Sequence, residues 1–220
     1  MAKSSIWLVM TILLLRSESV GPLIELGNSD QVTGPRVISR TNGRLADKLK
    51  PEDSDLIIED RNTTPMMEVK PPDGMSQVEW YLHLGASALV VSVEAAEPRL
   101  TPREDWIRTT YTARVTEVYR VGPKDSVEVG QQLSWARSGG QMHIAGKRVT
   151  ARPSLLRDIV VGGRYLAFAY IQDGTEPVLY RILDGGRLEA AERGPADSMS
   201  ALSIKEVAGQ VAGWISKRGK

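Results

Sequence analysis

Cysteine is absent from this 220-residue chain. Its absence excludes disulfides, thiolate nucleophiles, cysteine metal sites and lipid attachment through a thiol. Outside the cell such a chain would be held by its core alone, so a well-packed domain is expected rather than a stapled miniature. Histidine is nearly as scarce. His83 and His143 are the two imidazoles, and neither stands in a metal-ligand spacing such as H-x-x-x-H. No metal and no cofactor is therefore expected. Charge of one sign is missing too: 28 basic residues face 27 acidic ones, a formal net charge of +1. Such a chain lacks the broad positive field that collects nucleic acid. Nucleic acid is not an expected partner, and the single phenylalanine, Phe168, offers little for stacking bases. There is no G-x-S-x-G, so the hydrolase nucleophile turn is missing. Gly140-Gln-Met-His-Ile-Ala-Gly146-Lys147-Arg148 falls short of a phosphate loop. It has one intervening residue too many, and Arg148 stands where the Mg²⁺-binding hydroxyl belongs, so it is read as a hairpin turn.

No apolar run exceeds Ile6–Leu15. Its ten residues rise about 15 Å as a helix, roughly half a bilayer core. With Lys3 before it and Ser17-Glu-Ser19 after it, residues 1–19 read as a secretory signal peptide. Cleavage after Ser19 would leave 26 charges of each sign. The expected location is periplasmic or extracellular, with membrane contact only through the transient signal. An uncleaved N-terminal anchor is the alternative, kept open by Arg16 directly after the run.

Residues 20–73 hold Gly21-Pro22, Gly34-Pro35, Asn42-Gly43, Lys50-Pro51 and Pro71-Pro72. Their short apolar patches predict a disordered or extended linker. Leu56-Ile-Ile58, set among acidic residues, is the alternative docking bait. Asn62-Thr-Thr64 matches a glycosylation sequon, which carries meaning only in a host that glycosylates.

From residue 74 to 220 the pattern changes. Ser76-Gln-Val-Glu79 is a capping box, so a short helix ending at Gly85 is expected. Ala88–Val93, Arg108–Val115, Gln132–Ala136, Tyr165–Ile171 and Val178–Leu183 are rich in β-branched and aromatic residues and are divided by glycine turns. In the second, odd positions from Ile107 to Val115 are mainly apolar and even positions polar, the alternation of an antiparallel strand. Glu117 interrupts it, and Val118 resumes it one place late, as a β-bulge would. Tyr165–Ile171 is apolar on both faces, so it belongs in the middle of a sheet. Ser203-Ile-Lys-Glu206 caps a last helix at about 204–217, whose apolar face includes Ile204, Val207, Val211 and Trp214. That face predicts packing on the domain, with a membrane-surface helix as the alternative.

The order of these elements is similar in layout to small secreted bacterial barrel domains of unknown function and to OB-like and netrin-like modules. The residues that carry the likeness are Ala88–Val93, Tyr111–Gly122, the Val129-Gly130 turn, the glycine-split hairpin and Val161-Gly-Gly-Arg-Tyr-Leu-Ala-Phe168. The resemblance spans roughly residues 76 to 215 and implies a mainly β fold, a small antiparallel five-stranded OB-like barrel flanked by helices. Netrin-like inhibitors act through an N-terminal cysteine, which this chain lacks, so that chemistry is not implied.

Barrels of this shape bind ligands across one sheet face with aromatics and cations. Trp106, Arg108, Arg114, Trp135 and Arg137 are the residues expected to form such a face; tryptophans closing the barrel ends and arginines facing solvent are the alternative. Glu117, Glu94 and Glu97 are the carboxylates worth weighing as a general acid. The sequence thus favours a secreted, non-catalytic binding or interaction module for a protein or an envelope glycan. The alternative is a carboxylate-dependent envelope hydrolase.

Overall fold

Each expected strand of the second half forms, and two more precede them. The computed structural model describes residues 34–61, 71–192 and 198–218; the signal-peptide region, the sequon and the flanking apolar patch at 22–26 lie outside them. The strands are β1 (Arg36–Ser39), β2 (Asp55–Asp60), β3 (Ser87–Leu100), β4 (Ile107–Arg120), β5 (Gln132–Ser138), β6 (Gly140–Ile144), β7 (Lys147–Pro153), β8 (Arg164–Ala169), β9 (Val178–Ile182) and β10 (Leu188–Ala190). The helices are α1 (Gln77–His83) and α2 (Ile204–Arg218). The fold is mainly β, in two sheets.

The larger sheet is antiparallel, in the order β10-β9-β8-β3-β4-β5. β8 is central and buried from Tyr165 to Ala169, as its two apolar faces require. Tyr165 and Ala167 join one core with Leu89, Val91, Val93, Tyr111, Ala113 and Trp135. Leu166 and Phe168 join another with Val78, Leu82, Val207 and Val211 of the helices. The irregularity expected near Glu117 is present. Val90 pairs with Glu117 and Val91 with Val115, which leaves Thr116 as the extra residue. Two further shifts along the same pair bend the long strands around the first core.

The five-stranded closed barrel is corrected to an open sheet. β5 pairs only with β4 among the described strands, and β10 only with β9. The segment 154–159 and the Arg137 side chain occupy the seam between those edges. Arg157 N–H donates to the Ala191 carbonyl at 2.9 Å, and Arg137 Nη2 donates to the same carbonyl at 3.0 Å. Backbone groups that ladder bonds would serve in a barrel are here satisfied from the side.

The smaller sheet corrects the linker. Residues 34–61 supply β1 and β2, and the order β1-β2-β7-β6 makes β2 parallel to both of its neighbours. Leu45, Leu56 and Ile58 are fully buried against Trp106, Ile107, Val149 and Ala151, so Leu56 and Ile58 are core and not bait. The chain crosses between sheets at Gly139-Gly140. Gly140 has φ of +135° and a Cβ there would lie 2.0 Å from Thr109 Oγ1, so no side chain fits this corner. β6 and β7 form the expected hairpin through Ala145-Gly146, both at positive φ.

A pair of cations staples the 46–53 segment to this sheet. Lys147 Nζ donates to the carbonyls of Lys50, Pro51 and Asp53 at 2.5–2.7 Å. Arg36 grips the Asp53 carboxylate at 2.7 and 2.6 Å. That hydrogen-bonded guanidinium, helped by the Lys50 amide, holds the Asp53 carboxyl well below its ordinary range. A depressed carboxyl contributes stability that is complete above its unfolded value and is lost as pH falls toward the folded one. Thermal stability is therefore expected to drop as pH is lowered below about 4. Asp53→Asn should be less stable at neutral pH and show a flatter acid limb; parallel limbs would rule out this pair as the origin.

Both capping boxes form, Ser76 with Glu79 and Ser203 with Glu206. Trp214 of α2 is half-buried on the helix-side core. Two guanidiniums lie over its ring, Arg120 at 4.3 Å and Arg218 at 4.5 Å. Full burial of a tryptophan is worth about 3–5 kcal/mol on truncation, half-burial about half that, and each cation–π contact about 0.5–1 kcal/mol. Trp214→Ala should thus cost about 2.5–4.5 kcal/mol and lower Tm by roughly 5–18 °C. An unchanged melt accompanied by loss of liposome binding would favour the membrane-surface alternative.

Candidate functional site

The five sequence-predicted residues do not form one face. Parity separates four of them. Arg108 and Arg114 are even positions of β4 and point to the outer, solvent side of the sheet. Arg114 pairs there with Glu94 at 2.5 Å. Trp135 and Arg137 share the opposite, inner parity of β5 and are buried. Trp135 stacks on Tyr111, with ring centroids 6.0 Å apart; its Nε1 has no acceptor among the described residues. Trp106 belongs to the core of the smaller sheet and donates Nε1–H to Ser138 Oγ at 2.7 Å. The tryptophans are buried in two separate cores rather than at barrel ends, and Arg137 does not face solvent.

Arg137 is 3% exposed. Its Nε is 2.8 Å from Glu176 Oε1, and its two terminal nitrogens donate to the carbonyls of Ala191 (3.0 Å) and Arg157 (3.3 Å). Glu176 approaches from the segment before β9. Burial pushes its carboxyl up, outweighing the opposing pull of Arg137. One guanidinium thus ties both open edges of the sheet and the intervening segment together.

Beside this tie lies a cavity of about 350 Å³, lined in part by Arg152, Arg157, Asp158, Tyr165, Arg181 and Glu189. Its position follows from the sheet register. Tyr165, Arg181 and Glu189 stand opposite one another across β8, β9 and β10, so they share one face. Arg152 comes from the end of β7, and Arg157 and Asp158 from the segment that fills the seam. Arg157 and Glu189 form an ion pair. Tyr165 Oη accepts from the Val160 amide at 2.8 Å, and burial raises its hydroxyl above the ordinary value, which keeps the phenol protonated. Sequence reasoning missed this group. Arg181, two residues after buried Leu179 on β9, carried the readable signal: a cation at an inward parity.

The weighed carboxylates lie elsewhere. Glu94 is held ionised, below its usual range, by Arg114 and Gln132. Glu117 pairs with Arg164 at 2.8 Å and accepts from Tyr119 at 3.0 Å. Glu97 pairs with Arg99 on the exposed surface. Among the described residues no three His, Asp or Glu side chains gather as metal ligands would. His83 lies at the end of α1, where Arg218 Nη2 meets its Nδ1 at 2.8 Å, and His143 lies on β6. No described helix is long and apolar enough to cross a membrane.

Comparison with family models, with curated proteins and with solved structures finds no match to this chain. The chemistry must be argued from these residues alone.

Proposed function

We propose that this chain is a secreted, non-catalytic binding module for an envelope glycan or a protein, with the seam cavity as its binding site. The observation that carries this reading is the cavity lining. Guanidiniums and a phenol surround a space fixed by the sheet register and by buried Arg137. A fixed concave space with a few convergent polar groups is the usual form of a small-ligand site. The larger sheet is read as an OB-like barrel opened along one edge, which makes the opening itself the place where a ligand enters.

A carboxylate-dependent hydrolase is the second reading. It needs one carboxyl kept protonated and another ionised within reach of the same bond. Glu94, Glu97 and Glu117 each sit with an arginine, which suits solvated pairs better than a general acid. Glu176, with its raised carboxyl, is the residue through which that reading would work.

Export is part of the proposal: mass spectrometry of the native protein should find a mature N-terminus near Val20. A soluble cytosolic form with Met1 intact would refute it. For activity, the full chain is incubated with isolated envelope glycan. Co-sedimentation without released fragments is expected. Fragment release that disappears in Glu176→Gln would establish the hydrolase instead.

A further inference from the structure

We propose that the seam cavity takes a small hydroxyl-bearing ligand with a single anionic group, carboxylate or phosphoryl, anchored by Arg152 and Arg181. The proposal rests on the binding reading above and names the chemistry of its ligand.

The charge balance of the lining carries it. Three guanidiniums and two carboxylates face the space. Arg157 and Glu189 satisfy each other. Arg152 and Arg181 have no ion-pair partner among the described residues, while the remaining acid is Asp158 alone. The cavity is therefore left with one surplus positive charge in a partly enclosed place, where solvent screens it less than on an open face. A carboxylate, or a phosphoryl group carrying one charge, completes the balance, whereas a polyanion would exceed the surplus and face Asp158. The guanidinium fork suits both carboxylate and phosphoryl oxygens, which it engages by paired hydrogen bonds.

The rest of the lining fits hydroxyls. Tyr165 has accepted one bond from Val160 and still owns a proton to donate. Asp158 accepts only. The Tyr165 ring, Leu156, Ala190 and Ala191 supply an apolar wall. A volume of about 350 Å³ lies at the lower end of ligand cavities, about 300–1,000 Å³. It admits a single sugar-sized unit rather than a polymer segment. A glycan would therefore present an acidic end or side residue.

The test uses the full chain and isothermal titration with glucuronate, glucose 6-phosphate, glucose, and sodium chloride at matched ionic strength. At least one acidic sugar is expected to bind, and the comparison of the two tells carboxylate from phosphoryl. Glucose and salt should give no saturable signal. Arg181→Ala and Arg152→Ala should each weaken binding by about ten- to a hundred-fold, the range for a lost charge-assisted hydrogen bond. Arg181→Lys should recover part of it, and Arg44→Ala, on an exposed pair far along the chain, should leave it unchanged. Arg152 is exposed, so its variant decides the matter if the Arg181 variant folds poorly. Binding of glucose equal to that of the acids, no binding of either acid, or wild-type affinity in the Arg152 variant would overturn the proposal. Glycan co-sedimentation that survives both arginine variants would also overturn it while leaving the binding-module reading intact. Acidic-sugar binding without glycan or protein retention would do the reverse.

Discussion

A chain beginning at Asp73 is expected to lose its smaller sheet and to melt far below the full-length protein. Truncation there removes β1, β2 and the 46–53 segment. Leu45, Leu56 and Ile58, each with no exposed surface, go with them. At about 1.5–3 kcal/mol for each fully buried aliphatic side chain, the loss is about 5–9 kcal/mol. Domains of this kind have roughly 5–15 kcal/mol in total, so the loss is a third of the stability or more. Further costs fall on what stays behind. β7 loses its parallel partner, and Lys147 loses three carbonyl acceptors. Trp106, now 2% exposed, would face water. Calorimetry of the two chains measures this directly. Equal midpoints would mean that residues 34–61 add nothing to the fold, which is what a linker would do.

That segment also shows where the sequence stops being informative. β3, β4, β8 and β9 were readable because alternation and β-branched residues are local signals, and so were the bulge at Thr116 and both capping boxes. β2 is a short apolar run whose meaning depends on β7, about ninety residues later: Leu56 pairs with Val149 and Ile58 with Ala151. Nothing within residues 55–60 distinguishes a strand waiting for that partner from an apolar patch in a spacer. Proline and glycine pairs around it mark turns equally well in a folded segment and a loose one. Closure failed for a related reason. Whether a curled sheet shuts depends on what occupies its last seam, and the occupants, 154–159, carry no periodic pattern.

The candidate site divides in the same way. Leu133, Trp135 and Arg137 share one parity of β5 and Arg108 and Arg114 the polar parity of β4, so the separation of these four candidates was available from alternation alone; Trp106, just before β4 and of the same parity as the two arginines, lies in the other core. The seam cavity was not. Its arginines come from β7, β9 and a loop, and only the sheet register brings them to one place.

Arg137→Ala is expected to be the most damaging single substitution at the seam. Two arginines test the reason, since composition treats them alike. Arg114 is 47% exposed in its side chain and pairs with Glu94 at the surface. Such pairs are worth about 0–1 kcal/mol. Arg137 is 4% exposed in its side chain and pairs with Glu176, which is 27% exposed. Removing one partner of a fully buried pair costs about 3–5 kcal/mol, because the other is stranded; Glu176 keeps some contact with water, so about 2–4 kcal/mol is expected here. The carbonyls of Ala191 and Arg157 would lose donors as well. Arg137→Ala should therefore lower Tm by roughly 4–16 °C, and Arg114→Ala by a degree or two. If stranding of Glu176 is the main cost, Arg137→Met combined with Glu176→Leu should regain much of the loss, since a buried pair can often be exchanged for apolar side chains of similar volume. Both residues that Arg137 holds, Ala191 and Arg157, line the cavity, so the rescued variant should be stable and yet bind acidic sugar less tightly. Equal melts for the Arg114 and Arg137 variants would show that the seam is held by its backbone contacts alone.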